Sequence, residues 1–155
     1  MFKYILIIFL ATRLINLTLL PIFIDEANYL DWGWRETHTP NFLFYSLYDA
    51  KPPLVMWLFG LAQSVIPDPL LAGRLVTVLF GLLTLLGLYK LSSNLLAPIL
   101  YTLSPIFLFF DRQALMETPM SAVGVWSAYF LLRRHPIITG AVLGLGLLIK
   151  TNSVL

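Results

Sequence analysis

Cysteine is absent from the 155 residues. That removes disulfide frameworks, thiolate metal sites and cysteine nucleophiles. Charge is scarce as well. Ten Lys and Arg with eight Asp and Glu make up 12% of the chain, about half the share of a soluble domain. So few charges cannot supply the polar skin of a soluble globule of this length. Long basic runs are missing too, so nucleic acid is not an expected partner. What is abundant is apolar: 59% of residues are hydrophobic and mean hydropathy is +0.84. Disorder needs the opposite composition. The class that remains is an all-α, multi-pass integral membrane protein surrounded by membrane lipids.

Five apolar stretches predict about five transmembrane helices. The first covers Phe2–Phe23 and carries Arg13 near its middle. Leu75–Tyr89, Leu91–Phe110, Thr118–Leu132 and Ile137–Ile149 follow. Several fall short of the roughly 20 residues that cross ~30 Å of hydrocarbon. Flanking residues such as Arg74 and Lys90 extend them by snorkelling. Pro98 and Pro105 lie inside the third stretch and predict a kink there. Leu54–Ile66 is apolar but short, framed by Pro52-Pro53 and Pro67-Asp68-Pro69. It suits an interfacial helix better than a span.

Charge placement orients the chain. With Leu54–Ile66 interfacial, Lys3, Lys90, Arg133 and Arg134 share one side without an acid. By the positive-inside rule that side is cytoplasmic. The N-terminus is then cytoplasmic, and residues 25–74 form a large outer loop with interfacial helices. All eight acids belong to the outer side. The chain ends at Lys150-Thr-Asn-Ser-Val-Leu155 without a polar tail, which reads as the first part of a longer protein. Residues 1–155 form a single membrane-embedded region.

The outer loop carries the candidate chemistry. Asp25-Glu26 stands where the first span leaves the membrane, followed by Tyr29, Trp32 and Trp34. One reading is a capped interfacial helix with aromatics at headgroup depth. The other is a carboxylate pair that meets a substrate anchored in the bilayer. Asp25 would take a proton from an acceptor hydroxyl, or the pair would hold a divalent cation. Lys51, fixed by Pro52-Pro53, and Arg74 are either snorkelling anchors or phosphate-binding cations. Asp111-Arg112 and Glu117 return to the same face. There Arg112 is a further phosphate candidate and Glu117 a second acid. Asp111 and Arg112 alternatively neutralise each other. Arg13 needs a partner that the sequence does not name. Lys150 is an anchor or another anion contact. His38 and His135 lie on opposite sides and make no metal-ligand spacing.

The order of these pieces resembles the N-terminal part of GT-C glycosyltransferases, the protein O-mannosyltransferase and aminoarabinose transferase group (glycosyltransferase family 39-like). The matching residues are Asp25-Glu26-Ala-Asn-Tyr29, Lys51-Pro-Pro-Leu-Val-Met-Trp57-Leu58, Ala72-Gly-Arg74-Leu75, Asp111-Arg112-Gln-Ala-Leu with Glu117, and Leu147-Leu-Ile-Lys150-Thr151. The resemblance implies a polyprenyl-phosphate sugar as donor and a lipid, protein or glycan acceptor on the non-cytoplasmic face. It implies inversion in one displacement with Asp25 as the base, in a bacterial or archaeal plasma membrane. A phosphate leaving group needs no second carboxylic acid, unlike glycoside hydrolysis. Cations such as Lys51, Arg74 and Arg112 suit it instead. Glu26 and Glu117 are implied as substrate or metal contacts. The sequence departs from the aminoarabinose pattern at Ala50, where a glutamate often stands; the nearest acid is Asp49. Two other readings are a non-catalytic membrane scaffold and a small-solute transporter. A transporter needs charges at mid-depth in several helices, and most charges here lie at helix ends.

Overall fold

The computed structural model describes residues 1–92 and 94–151, and its regular structure is helical throughout. The elements in order are α1 (Phe2–Leu14), α2 (Ile24–His38), a 3-10 helix (Tyr45–Asp49), α3 (Leu54–Gln63), α4 (Pro69–Leu91), α5 (Leu96–Leu103), α6 (Pro105–Asp111), α7 (Glu117–Leu132) and α8 (Pro136–Ile149).

Among the described residues, α4 is the one helix long and apolar enough to cross a membrane. Its 23 residues reach about 35 Å at 1.5 Å per residue. It begins earlier than the apolar run because Asp68 caps it. The Asp68 carboxylate accepts the Leu70 and Leu71 amides at 2.9 and 3.1 Å, and Pro69 fills the first helical position.

Two of the expected spans are broken. The first is helical only to Leu14. Ile15 is extended and Asn16 turns through a φ of 51°, a left-handed conformation that Asn tolerates. The third is two short helices rather than one kinked helix. Pro98 falls in the first turn of α5, where a missing N–H costs nothing. Pro105 opens α6, and Ser104 before it is extended with ψ of 124°, as a residue preceding proline prefers. The last two expected spans correspond closely to α7 and α8, at 16 and 14 residues.

Helix directions follow from the contacts. Phe2 stacks on Tyr89 at 4.0 Å, so α1 starts where α4 ends. α1 and the α5–α6 pair run back along α4, and Arg13 reaches Asp111 beside Gly81, in the middle of α4. α7 then runs parallel to α4. Gly73 faces Ala114, and Gly87 faces Val125 and Trp126. Trp126 Nε1 donates to the Leu83 carbonyl at 3.0 Å. α8 returns, so that Lys150 meets Glu117. Lys3, Lys90, Arg133 and Arg134 therefore fall at one end. The other, here the α2 end, collects α2, the 3-10 helix, α3 and the starts of α4 and α7.

At the α2 end, α2 and α3 cross at glycines. A Cβ on Gly60 would collide with the Gly33 carbonyl and the Thr37 hydroxyl. Only glycine permits that approach. Two buried clusters result. One joins Tyr29, Leu30, Val55, Met56, Phe59 and Met116 beneath α2 and α3. The other joins Ile5, Phe9, Val78, Leu85 and Tyr101 between α1, α4 and α5.

Candidate functional site

The candidate residues divide according to whether their polar atoms are already used. Arg74 is 0% exposed. Its Nε and Nη2 grip the Glu26 carboxylate at 2.8 and 2.7 Å. Its other donors go to the carbonyls of Leu17, Leu20 and Pro21 at 2.9, 2.9 and 3.3 Å. A guanidinium has five N–H groups, and these five bonds use them all. No donor is left for a phosphate.

Glu26 is equally committed. Besides Arg74, its oxygens accept the amides of Ala114 at 2.7 Å and Phe23 at 3.3 Å. The Phe23 bond is the backward half of a capping box at the start of α2. Four donors match the roughly four lone-pair sites of a carboxylate. Asp25 therefore neither caps α2 nor shares a cation with Glu26. Glu26 faces the protein and Asp25 is exposed. Among the described residues, no group of three or more His, Asp or Glu side chains is arranged to hold a metal ion.

Arg112 does not pair with Asp111. Its guanidinium donates to the carbonyls of Thr12 at 2.6 Å, Ile15 at 3.0 Å and Asn16 at 2.6 Å. These carbonyls lie at and just beyond the end of α1, where the helix leaves its last carbonyls without intrahelical donors; that of Asn16 also accepts the Leu19 amide. Asp111 goes instead to Arg13, at 3.2 Å with both side chains essentially enclosed. It also accepts the Tyr101 and Thr118 hydroxyls at 2.9 and 3.0 Å. Arg13 further donates to the carbonyls of Thr102 and Tyr101 at 2.6 and 3.3 Å, where α5 breaks before Pro105. The partner of Arg13, 98 residues away, was not legible in the sequence. Three arginines thus serve broken helices. In an apolar medium such carbonyls would otherwise stay unpaired at several kcal/mol each.

The other candidate residues are less committed. Among the described residues at the α2 end, Asp25, Asp49 and Lys51 have no hydrogen-bonded or ionic side-chain partner. Lys51 is half-buried and follows Ala50, whose φ of 55° turns the chain out of the 3-10 helix. Pro52 and Pro53 beyond it are buried. Glu117 forms a 3.1 Å pair with Lys150, both partly exposed. A cleft of about 390 Å³ runs from this pair along Ile106, Phe107, Phe110 and Met120. It has a charged mouth and an apolar floor.

Tyr29 links the open set, and it had been assigned only an interfacial role from its type. Its phenol is held up to a pKa of about 12, first by burial, then by the negative charges of Asp25, Glu117 and Asp49. Three carboxylates, from α2, α7 and the 3-10 helix, therefore act on one buried ring. Tyr29 is one helical turn beyond Asp25 on the same face, and that spacing was the available signal.

A family model described as dolichyl-phosphate-mannose-protein mannosyltransferase matches residues 50–155. No curated protein and no solved structure matches the chain. The matched stretch includes Lys51, Arg74, Arg112, Glu117 and Lys150, and it begins after Asp25 and Glu26.

Proposed function

The chain belongs to the dolichyl-phosphate-mannose-protein mannosyltransferase family, and from that membership we propose a multi-pass membrane glycosyltransferase of GT-C type. It takes a sugar from a polyprenyl-phosphate donor to an acceptor hydroxyl at the non-cytoplasmic α2 end. The observation that carries this is the contrast between two neighbouring carboxylates at the α2 end, one exposed and one enclosed. Asp25 stands there with both oxygens open, while the neighbouring Glu26 is spent.

Asp25 takes the acceptor proton as the hydroxyl oxygen bonds to the anomeric carbon. The carbon–oxygen bond to the donor phosphate breaks on the opposite face, and the configuration inverts. Polyprenyl phosphate leaves with the bonding pair. Lys51, without a side-chain partner among the described residues, and Lys150, in its half-exposed pair with Glu117, are the cations left to meet that charge by simple electrostatic stabilisation. Glu117 holds Lys150 in place. Arg74, Arg112 and Glu26 support the backbone beneath.

Membrane embedding in several passes is supported by outward-facing apolar side chains on every long axis. Ile7, Leu79, Leu100, Ile106, Leu131 and Leu145 are all exposed. Surfaces of that kind suit lipid. The arginines at mid-depth are paired inward, which weakens the reading as a solute pathway.

The test is Asp25→Asn in the membrane-embedded protein, with polyprenyl-phosphate mannose as donor. Loss of mannose release by about 10²-fold or more is expected, with insertion and thermal unfolding unchanged. Undiminished release would remove Asp25 as the base.

A further inference from the structure

Glu36 has no place in the chemistry above, yet it is a carboxylate with only 3% exposure. It sits in the last turn of α2, on the face that also carries Tyr29 and Gly33. One oxygen, Oε1, accepts the Ser46 amide at 2.6 Å, a short, charge-assisted bond. The other, Oε2, is buried without a partner among the described residues, as is the Ser46 hydroxyl. Leaving half of a buried carboxylate unsatisfied is costly, and the Ser46 bond is the one compensation evident.

Ser46 is held from both sides. Its N–H goes to Glu36, and its carbonyl accepts the Lys51 amide at 3.1 Å. A single residue, Ser46, therefore connects the Glu36 carboxylate to the backbone of Lys51. The rest of the segment leans on the same helices. Trp57 Nε1 donates to the Leu43 carbonyl at 2.7 Å, and Arg35 lies over the Tyr45 ring at 5.7 Å. Beyond Lys51 the buried Pro52 and Pro53 remove backbone freedom. The other hydrogen bonds of the segment are local turn bonds, such as Tyr45 N–H to Phe42 and Ala50 N–H to Leu47, whereas Glu36 and Trp57 tie it to α2 and α3.

We propose that Glu36 is a positioning residue for Lys51: by holding the Ser46 amide it sets where the lysine ammonium stands at the α2 end. This rests on reading Lys51 as the cation that meets the donor phosphate. Glu36 itself touches neither substrate nor reacting atoms.

The experiment uses the membrane-embedded protein with Glu36→Ala, Glu36→Gln, Lys51→Ala and the double variant Glu36→Ala/Lys51→Ala. Two readouts are taken. One is hydrogen exchange at the Ser46 and Lys51 amides. The other is affinity for polyprenyl phosphate in phosphatidylcholine vesicles. Glu36→Ala should speed exchange at both amides about tenfold and weaken affinity about tenfold. Glu36→Gln keeps an acceptor for Ser46 and should restore both to within about twofold. The double variant should bind no more weakly than Lys51→Ala, because two residues acting through one contact are not additive.

Faster exchange with unchanged affinity in Glu36→Ala overturns the positioning role. So does an added loss in the double variant. If Lys51→Ala itself leaves affinity unchanged, the phosphate reading of Lys51 falls, and the role given to Glu36 falls with it. If Lys51→Ala weakens binding and Glu36→Ala does not, the inference about Glu36 alone is lost.

Discussion

The charges beneath the α2 end and those upon it are built on opposite rules. Beneath it, Arg74 with Glu26 and Arg13 with Asp111 are enclosed, and nearly every N–H and oxygen has a partner within the protein. Upon it, Asp25, Asp49 and Lys51 are open, and Glu117 with Lys150 is only loosely paired. The two sets lie close in sequence: Asp25 of the open set adjoins Glu26 of the buried one. Adjacent charged residues thus have opposite fates, decided by which of them faces an interrupted helix. The lesson is that buried charge here is spent on backbone repair, and the proposed chemistry draws on what remains.

The largest effect that tests this division is loss of Arg74. Arg74→Ala strands the enclosed Glu26 charge and the carbonyls of Leu17, Leu20 and Pro21. Breaking a buried pair on one side costs roughly 3–5 kcal/mol. Thermal unfolding in detergent should fall sharply, or folded protein should not accumulate. Arg74→Lys should fare almost as badly, because an ammonium has three donors and no planar fork. A stable Arg74→Lys with weakened donor binding would break the comparison and return Arg74 to the phosphate site.

Lys51 is the matching probe on the open side. Lys51→Ala removes no partner, so unfolding should move by no more than about 0.5 kcal/mol. Polyprenyl-phosphate affinity should fall about 10- to 100-fold, the equivalent of a charge-assisted bond worth about 1.5–3 kcal/mol. A stability loss as large as that of Arg74→Ala would place Lys51 with the buried set.

Much of this was readable beforehand, and the unreadable part has a physical cause. Pro105 announced the interruption of the third apolar stretch, and Pro67-Asp68-Pro69 announced the start of α4. The helical fold class and the family also followed from the sequence. The fate of Arg74 did not. An arginine at a span end is equally consistent with an anchor, a phosphate contact and a buried cap. The distinction lay in residues 15–22, where the first apolar run leaves the helix and frees its carbonyls. Asn16 and Pro21 were the signs of that break, but apolar composition around them favoured a continuous span. Pairings 48 and 98 residues apart depend on packing that no local pattern encodes.

A smaller effect is expected at Glu117 and Lys150. Both are more than a third exposed, so solvent screens the pair to about 0.2–1 kcal/mol. Glu117→Gln should leave unfolding nearly unchanged. It should make donor binding more sensitive to salt, because Lys150 loses its tether. A large drop in thermal stability would show that the pair belongs with the buried ones.

Glu36 is the intermediate case, one oxygen used and one not, and it sharpens the comparison through pH. Burial raises its pKa, and the bonds from Ser46 only partly oppose this. A carboxyl that binds its proton more tightly when folded favours the folded state at low pH. That contribution is complete below the ordinary carboxylate pKa and is lost as pH rises through the raised value. Wild-type protein should therefore lose some thermal stability across that window. Glu36→Gln cannot ionise and should keep the low-pH level. Glu26, with four donors on its two oxygens, is the geometric contrast. If Glu36→Gln and wild type show the same pH dependence, Glu36 is as well satisfied as Glu26, and the unpartnered oxygen in the structure has a donor after all.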